Sequence, residues 1–92
     1  MNNHIDLLFS YFNAFADTCI KNNHLDAFNR KSISIDFSSK SRQGDISSNF
    51  YLVAIKKILD KQFNLKDELL SGIHNLDFIE KCEISKNGFI NI

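Results

Sequence analysis

The end of the chain, 82-CEISKNGFINI-92, decides how the sheet of this protein is arranged. Its apolar and polar residues alternate on both sides of an Asn-Gly pair, a pattern typical of a β-hairpin. A two-residue turn would pair Ile84 with Asn91 and put Ile84 and Ile90 on opposite faces. A three-residue loop at 86–88 instead pairs Ile84 with Ile90, which brings the apolar side chains onto one face. We therefore predict a bulged turn in which Gly88 has a positive φ.

This register also decides which side chains of the last strand face outward. Ser85 pairs with Phe89 and Cys82 with Ile92, so Phe89 and Asn91 lie on the outer face, as do Lys81, Glu83 and Ser85. An exposed aromatic ring beside an exposed amide can bind an unstacked base, because the ring stacks and the amide bonds to the base edge. A structural role also fits, with Phe89 half covered by a loop and Asn91 solvated.

Upstream of the hairpin, the spacing of apolar residues predicts three helices and two strands. The first helix carries an apolar stripe that ends near Asn22-Asn23, and its members are Leu8, Phe12, Phe15 and Cys19, widened by Ile5, Phe9, Ala16 and Ile20. Residues 32–38 alternate as a half-buried strand, 38–44 form a loop, and a short strand follows at Asp45-Ile46. A second helix is predicted over 48–63. A short third helix begins after a cap at Asn64 and carries Leu65, Leu69 and Ile73.

The order α-β-β-α-β-β, with two helices in the second helical position, predicts the fold class. We expect an α+β domain of two layers, with helices on one face of a small antiparallel sheet. At 92 residues and 10.6 kDa the chain has room for one modest core, so residues 1–92 are predicted to form one domain.

The charge balance excludes a histone-like polycation but allows a local basic patch. Eleven basic residues offset eleven acidic ones. The segment 30–42 carries an excess of positive charge, and its serine-rich part contains Lys40 and Arg42. These two residues could hold phosphates, although a solvated turn is an equal interpretation. The sequence has no apolar run long enough for a membrane span and no secretory signal, so we expect a cytoplasmic protein without a membrane partner.

The sequence offers little for catalysis. Its glycines are isolated, which argues against a phosphate-binding loop. His4, His24 and His74 lie far apart, and Cys19 and Cys82 have neither metal-ligand spacing nor a local cluster of positive charge. We therefore expect no catalytic residue, no metal site and no cofactor in this domain.

Two motifs in the chain resemble a known family. The segment 43-QGDISSN-49 precedes the apolar second helix, and 88-GFINI-92 closes the chain. Their order and spacing are similar to those of the N-terminal additional domain of arginyl-tRNA synthetases, over the whole chain. The chain differs from the usual family pattern in having Lys86-Asn87 where Gly-Pro is common, and Ala54-Ile55-Lys56-Lys57 where Leu-Ala-Lys is common.

The resemblance implies a partner and roles for particular residues. In the family this domain grips the D-loop at the outer corner of tRNA(Arg), and an aromatic and an amide residue of the last strand contact the base at position 20. Those roles fall on Phe89 and Asn91, with Lys40 and Arg42 as further RNA-binding candidates. Gly44, Asp45, Asn49 and Gly88 are expected to be structural, with Asp45 and Asn49 bonding to backbone where the second helix starts.

The resemblance also implies a larger enzyme. The parent protein would be a monomeric arginine–tRNA ligase that uses ATP and magnesium, and this domain would work beside its own catalytic domain. The chain contains neither the His-Ile-Gly-His nor the Lys-Met-Ser-Lys signature of that catalytic domain. The alternative is a free-standing module that binds RNA or protein and has no catalytic activity.

Overall fold

The computed structural model describes residues 4–37, 46–79 and 81–92. These residues form three helices, one short 3-10 helix and four strands. In chain order the elements are α1 (His4–Lys21), the 3-10 helix (Arg30–Ser32), β1 (Ile35–Phe37), β2 (Ile46–Ser48), α2 (Phe50–Ile55), α3 (Leu65–His74), β3 (Glu83–Ile84) and β4 (Ile90–Asn91). The predicted α+β class and element order are confirmed.

Helix α1 packs one face against the core, as its apolar spacing predicts. Its buried residues are Leu8, Phe12, Ala16 and Cys19. The stripe is narrower than predicted, because Phe9 stays 38% exposed. The helix ends where expected, since Asn23 adopts a φ of 63° and the next residue donates its backbone N–H to Cys19 O at 2.8 Å. No helix in the described ranges has the length and apolar character that a bilayer crossing requires.

The four strands form one antiparallel sheet in the order β1-β2-β4-β3. Ile84 pairs with Ile90, and Ser85 N donates to Phe89 O at 2.9 Å, so the bulged register is confirmed for these pairs. The pairing of Cys82 with Ile92 stays a prediction, because both residues lie just beyond the strands. Strand β1 begins at Ile35 rather than at the predicted Ser32, because Ser32 is the last residue of the 3-10 helix. The predicted strand end at Ser38 and the predicted loop over 38–44 lie outside the described residues.

The prediction of a long second helix over 48–63 is wrong. Helix α2 ends at Ile55, and the chain then turns so that Ile58 forms a bridge with Leu25. Backbone hydrogen bonds hold this crossing, from Asp26 N to Lys57 O at 2.8 Å and from Leu59 N to His24 O at 2.9 Å. The competing backbone pairing explains the early end. Because the helix ends early, Leu59 is 57% exposed, although the helical pattern placed it on an apolar face.

The core lies between the sheet and the helices. The Phe12 and Phe50 rings stack with centroids 4.5 Å apart, which joins α1 to α2. Helix α3 buries the three predicted residues Leu65, Leu69 and Ile73. Its cap is confirmed, because the side chain of Asn64 accepts the backbone N–H of Asp67 at 3.1 Å.

Candidate nucleic-acid interface

The turn between β3 and β4 has a conformation that depends on Gly88. Gly88 has a φ of 90°, as predicted, and its N–H donates to Ser85 O at 2.9 Å. An added Cβ at Gly88 would overlap the side chain of Leu52 on α2. Both the positive φ and the close approach therefore require glycine here.

The turn leaves Phe89 and Asn91 on the outer face of the sheet. Phe89 is 37% exposed and Asn91 is exposed, whereas Ile90 between them is fully buried. Two residues along a strand separate the Phe89 and Asn91 Cα atoms by about 7 Å. An aromatic face and a hydrogen-bonding amide at this separation can contact the ring and the edge of one base.

Asn91 lies within a line of polar residues that crosses all four strands. Direct pairing joins Asp36 to Ser47, Ser47 to Asn91, and Asn91 to Glu83. We call Asp36, Ser47, Asn91 and Glu83 the outer row. The outer row is exposed except for half-buried Ser47, while the neighbouring row of the opposite face is buried or half-buried. The hairpin register places Glu83 beside Asn91, but the place of Ser47 depends on the strand order, which no local pattern in the sequence reveals.

Asn49 holds the start of α2 against the segment that precedes β1. Its side-chain oxygen accepts the backbone N–H of Ser34 at 2.8 Å, and its amide donates to Ser32 O at 3.0 Å. Asn49 thus bonds to backbone as expected, but across to a distant segment rather than to its own helix. The hydroxyl of Ser48 accepts the Phe50 N–H at 3.1 Å at the start of α2.

The structure describes only the first part of the basic segment 30–42, which includes Arg30. The Arg30 guanidinium donates to Asp17 at 2.7 Å and to the backbone and side-chain oxygens of Asn13 at 3.2 and 3.1 Å. These bonds tie Arg30 to α1, so it serves the fold. The four predicted site residues Lys40, Arg42, Gly44 and Asp45 lie outside the described residues.

A separate cleft of about 730 Å³ lies between α1 and α3. Tyr11 lines it with its hydroxyl 3.5 Å from Leu69 O. Burial raises the pKa of Tyr11 to about 12, and the neighbouring Cys19, Cys82 and Glu68 contribute smaller parts of this increase. The cleft was not predicted, because it depends on how two helices pack.

The thiol pKa of both cysteines lies above its ordinary value. Burial raises the pKa of Cys82, and burial together with Glu68 raises that of Cys19. The Cys82 sulfur lies 3.4 Å from His74 Nε2. Within residues 4–37, 46–79 and 81–92, no three His, Cys, Asp or Glu side chains are grouped so that they could hold a metal ion.

Comparison with known proteins gives one family. The family model described as the arginyl tRNA synthetase N terminal domain matches residues 13–92. Comparisons with curated proteins and with solved structures gave no significant match. The match extends from the middle of α1 through β4 and so includes the sheet and its outer row. The chain therefore belongs to the family of arginyl-tRNA synthetase N-terminal domains.

Proposed function

We propose that this domain binds the D-loop at the outer corner of tRNA(Arg), with Phe89 stacking on the base at position 20 and Asn91 bonding to its edge. The parent enzyme, an arginine–tRNA ligase, joins arginine to that tRNA with ATP and magnesium. The domain positions the tRNA relative to the catalytic domain of the same enzyme. We propose no chemical step of the ligation reaction for any of its residues. We further propose that the parent is monomeric and cytoplasmic.

The main support is the exposure of Phe89 directly before β4, where the bond from Ser85 N to Phe89 O holds its backbone. The ring is 37% exposed while the residues on either side of it, Gly88 and Ile90, are buried. A ring held in this way is ready to stack without a further loss of backbone freedom. The family assignment adds a reason for RNA to be the partner.

The charge balance predicts how the isolated domain should bind. A chain with no net charge neutralises few phosphates, so binding should be weak and should change little with salt concentration. Lys40 and Arg42 are proposed to supply the phosphate contacts. Their joint replacement by Ser should weaken binding to hairpins of any sequence by a similar factor.

The test compares two matched phenylalanine variants. A fluorescein-labelled D-arm hairpin of tRNA(Arg) is titrated with wild-type chain, Phe89→Ala and Phe9→Ala, and anisotropy is recorded. Phe9 is a suitable control, because it is 38% exposed but lies on α1. Loss of stacking costs about 1–3 kcal/mol, so Phe89→Ala should weaken binding by about 5- to 150-fold. Phe9→Ala should stay within about twofold of wild type.

The other outcomes contradict the proposal. Equal binding by Phe89→Ala and wild type would show that the outer face does not stack on a base. Equal weakening by both variants would indicate a non-specific apolar contact. No binding of the hairpin at millimolar protein would favour the alternative of a module that binds protein.

A further inference from the structure

The outer row brings a carboxylate next to the amide proposed to contact a base. Glu83 on edge strand β3 pairs directly with Asn91 on β4. Ser85 and Phe89 form a hydrogen-bonded pair two residues along, so Glu83 and Asn91 also form one, with Cα atoms about 5.5 Å apart. The carboxylate and the amide can therefore reach the same small group.

Ser47 borders Asn91 on its other side. Ile46 and Ile92 exchange both backbone hydrogen bonds, at 3.2 and 2.8 Å. The neighbouring Ser47–Asn91 pair is therefore of the closer, non-hydrogen-bonded kind, with Cα atoms about 4.5 Å apart. Asn91 thus has a hydroxyl on one side and a carboxylate on the other.

Glu83 has no partner that would occupy its carboxylate within the described part of the chain. Arg30 there forms an ion pair with Asp17, and the His24 ring lies 3.3 Å from the Asp60 carboxylate, so neither cation nor ring contacts Glu83. No hydrogen bond among the described residues engages the side chains of Glu83 or Asn91. An exposed carboxylate that accepts no bond from any of the described residues is available to accept one from a ligand.

We propose that Glu83 is a specificity-determining residue that accepts a hydrogen bond from the exocyclic amino group of the base contacted by Phe89 and Asn91. This inference rests on the proposed function of that pair. An ionised carboxylate only accepts hydrogen bonds, so it suits the N4 amino group of cytosine or the N6 amino group of adenine. The O4 carbonyl of uracil would instead face the negative charge.

The charge of the outer row favours binding to the edge of a base over binding to phosphate. Its two ends are carboxylates, Asp36 on β1 and Glu83 on β3, and it contains no cation. Phosphate oxygens would be repelled from this row, whereas amino groups would be attracted. Lys81, which the hairpin register puts on the same face, lies two residues before Glu83 and outside the row. Charged residues on edge strands can also serve to prevent aggregation. Asp36 and Glu83 both lie on edge strands and could both prevent aggregation, but only Glu83 is paired with Asn91. Replacement of Asp36 is therefore the control for replacement of Glu83.

The experiment measures discrimination between two pyrimidines. D-arm hairpins with cytosine or uracil at position 20 are titrated with wild-type chain, Glu83→Gln and Asp36→Asn, and the ratio of their dissociation constants is compared. The wild type and Asp36→Asn should both prefer cytosine by about tenfold, within the range for one good base contact. Glu83→Gln should lower the ratio to about 1–2, because a glutamine amide can also donate to uracil O4.

The outcomes separate this inference from the proposed function. If Phe89→Ala weakens binding but the cytosine-to-uracil ratio is the same in wild type and Glu83→Gln, the base-binding function stands and the role of Glu83 is wrong. A wild type without any preference also overturns the role of Glu83. If the wild type binds neither hairpin, the proposed function fails and this inference fails with it.

Discussion

Replacing Gly88 by alanine tests whether the β3–β4 turn, which precedes Phe89 and Asn91, requires glycine. A residue with a Cβ in the left-handed region costs about 1–2 kcal/mol. Overlap with the half-buried Leu52 side chain adds about 1–3 kcal/mol, because that side chain must move. The expected loss is about 2–5 kcal/mol, against a total of about 5–14 kcal/mol for a chain of this size.

Urea denaturation followed by circular dichroism measures this loss directly. A double variant, Leu52→Ala with Gly88→Ala, separates the two contributions, because it removes the overlap and keeps the backbone strain. In the Leu52→Ala background, Gly88→Ala should cost only about 1–2 kcal/mol, which comes from the positive φ. The difference from its cost in wild type then measures the overlap with Leu52. The control Lys86→Ala changes an exposed residue of the same turn and should stay within about 0.5 kcal/mol. A Gly88→Ala variant as stable as this control would refute the reasoning.

Three further predictions concern the fold that supports the site. Asn49→Ala should lower the free energy of unfolding in urea by about 1–3 kcal/mol, because it removes the bonds to Ser34 N–H and Ser32 O, each of which contributes about 0.5–1.5 kcal/mol; an unchanged midpoint would contradict this. Since the pKa of Tyr11 is about 12 in the folded chain and near 10 unfolded, the unfolded state loses its proton first as pH rises. The stability from Tyr11 is therefore complete below pH 10 and lost towards pH 12, and thermal melts should show a decline that Tyr11→Phe reduces. Arg30→Lys should lower stability by about 0.5–1.5 kcal/mol through the lost bonds to α1, and RNA affinity should not change; a matching loss of affinity would assign Arg30 to the RNA contact.

The hairpin could be predicted from the sequence because its residues are close in the chain. Only one register puts Ile84 and Ile90 on the same face of the sheet. That register requires a positive φ at Gly88 and places Phe89 on the outer face. The first and third helices were predictable for a similar reason, since their apolar stripes and ends are local. In both cases a local pattern and the final packing require the same arrangement.

Features that depend on distant segments could not be predicted in this way. The run from Phe50 to Phe63 is as apolar as a buried helix, but pairing of Ile58 with Leu25 ends the helix early. Asn49 bonds to a segment 15 residues before it, and no motif records that contact. Likewise, the place of Ser47 beside Asn91 follows from β2 lying next to β4.

The most direct test of the proposed function is an amide NMR titration of the 92-residue chain with a D-arm hairpin of tRNA(Arg). The proposal predicts shifts at Phe89 to Ile92, at Ser47 and Glu83 beside them, and at Lys40 and Arg42, all weaker when the base at position 20 is changed. Shifts confined to the cleft between α1 and α3, or no shifts at millimolar RNA, would contradict the claim that the outer face of the sheet binds this tRNA.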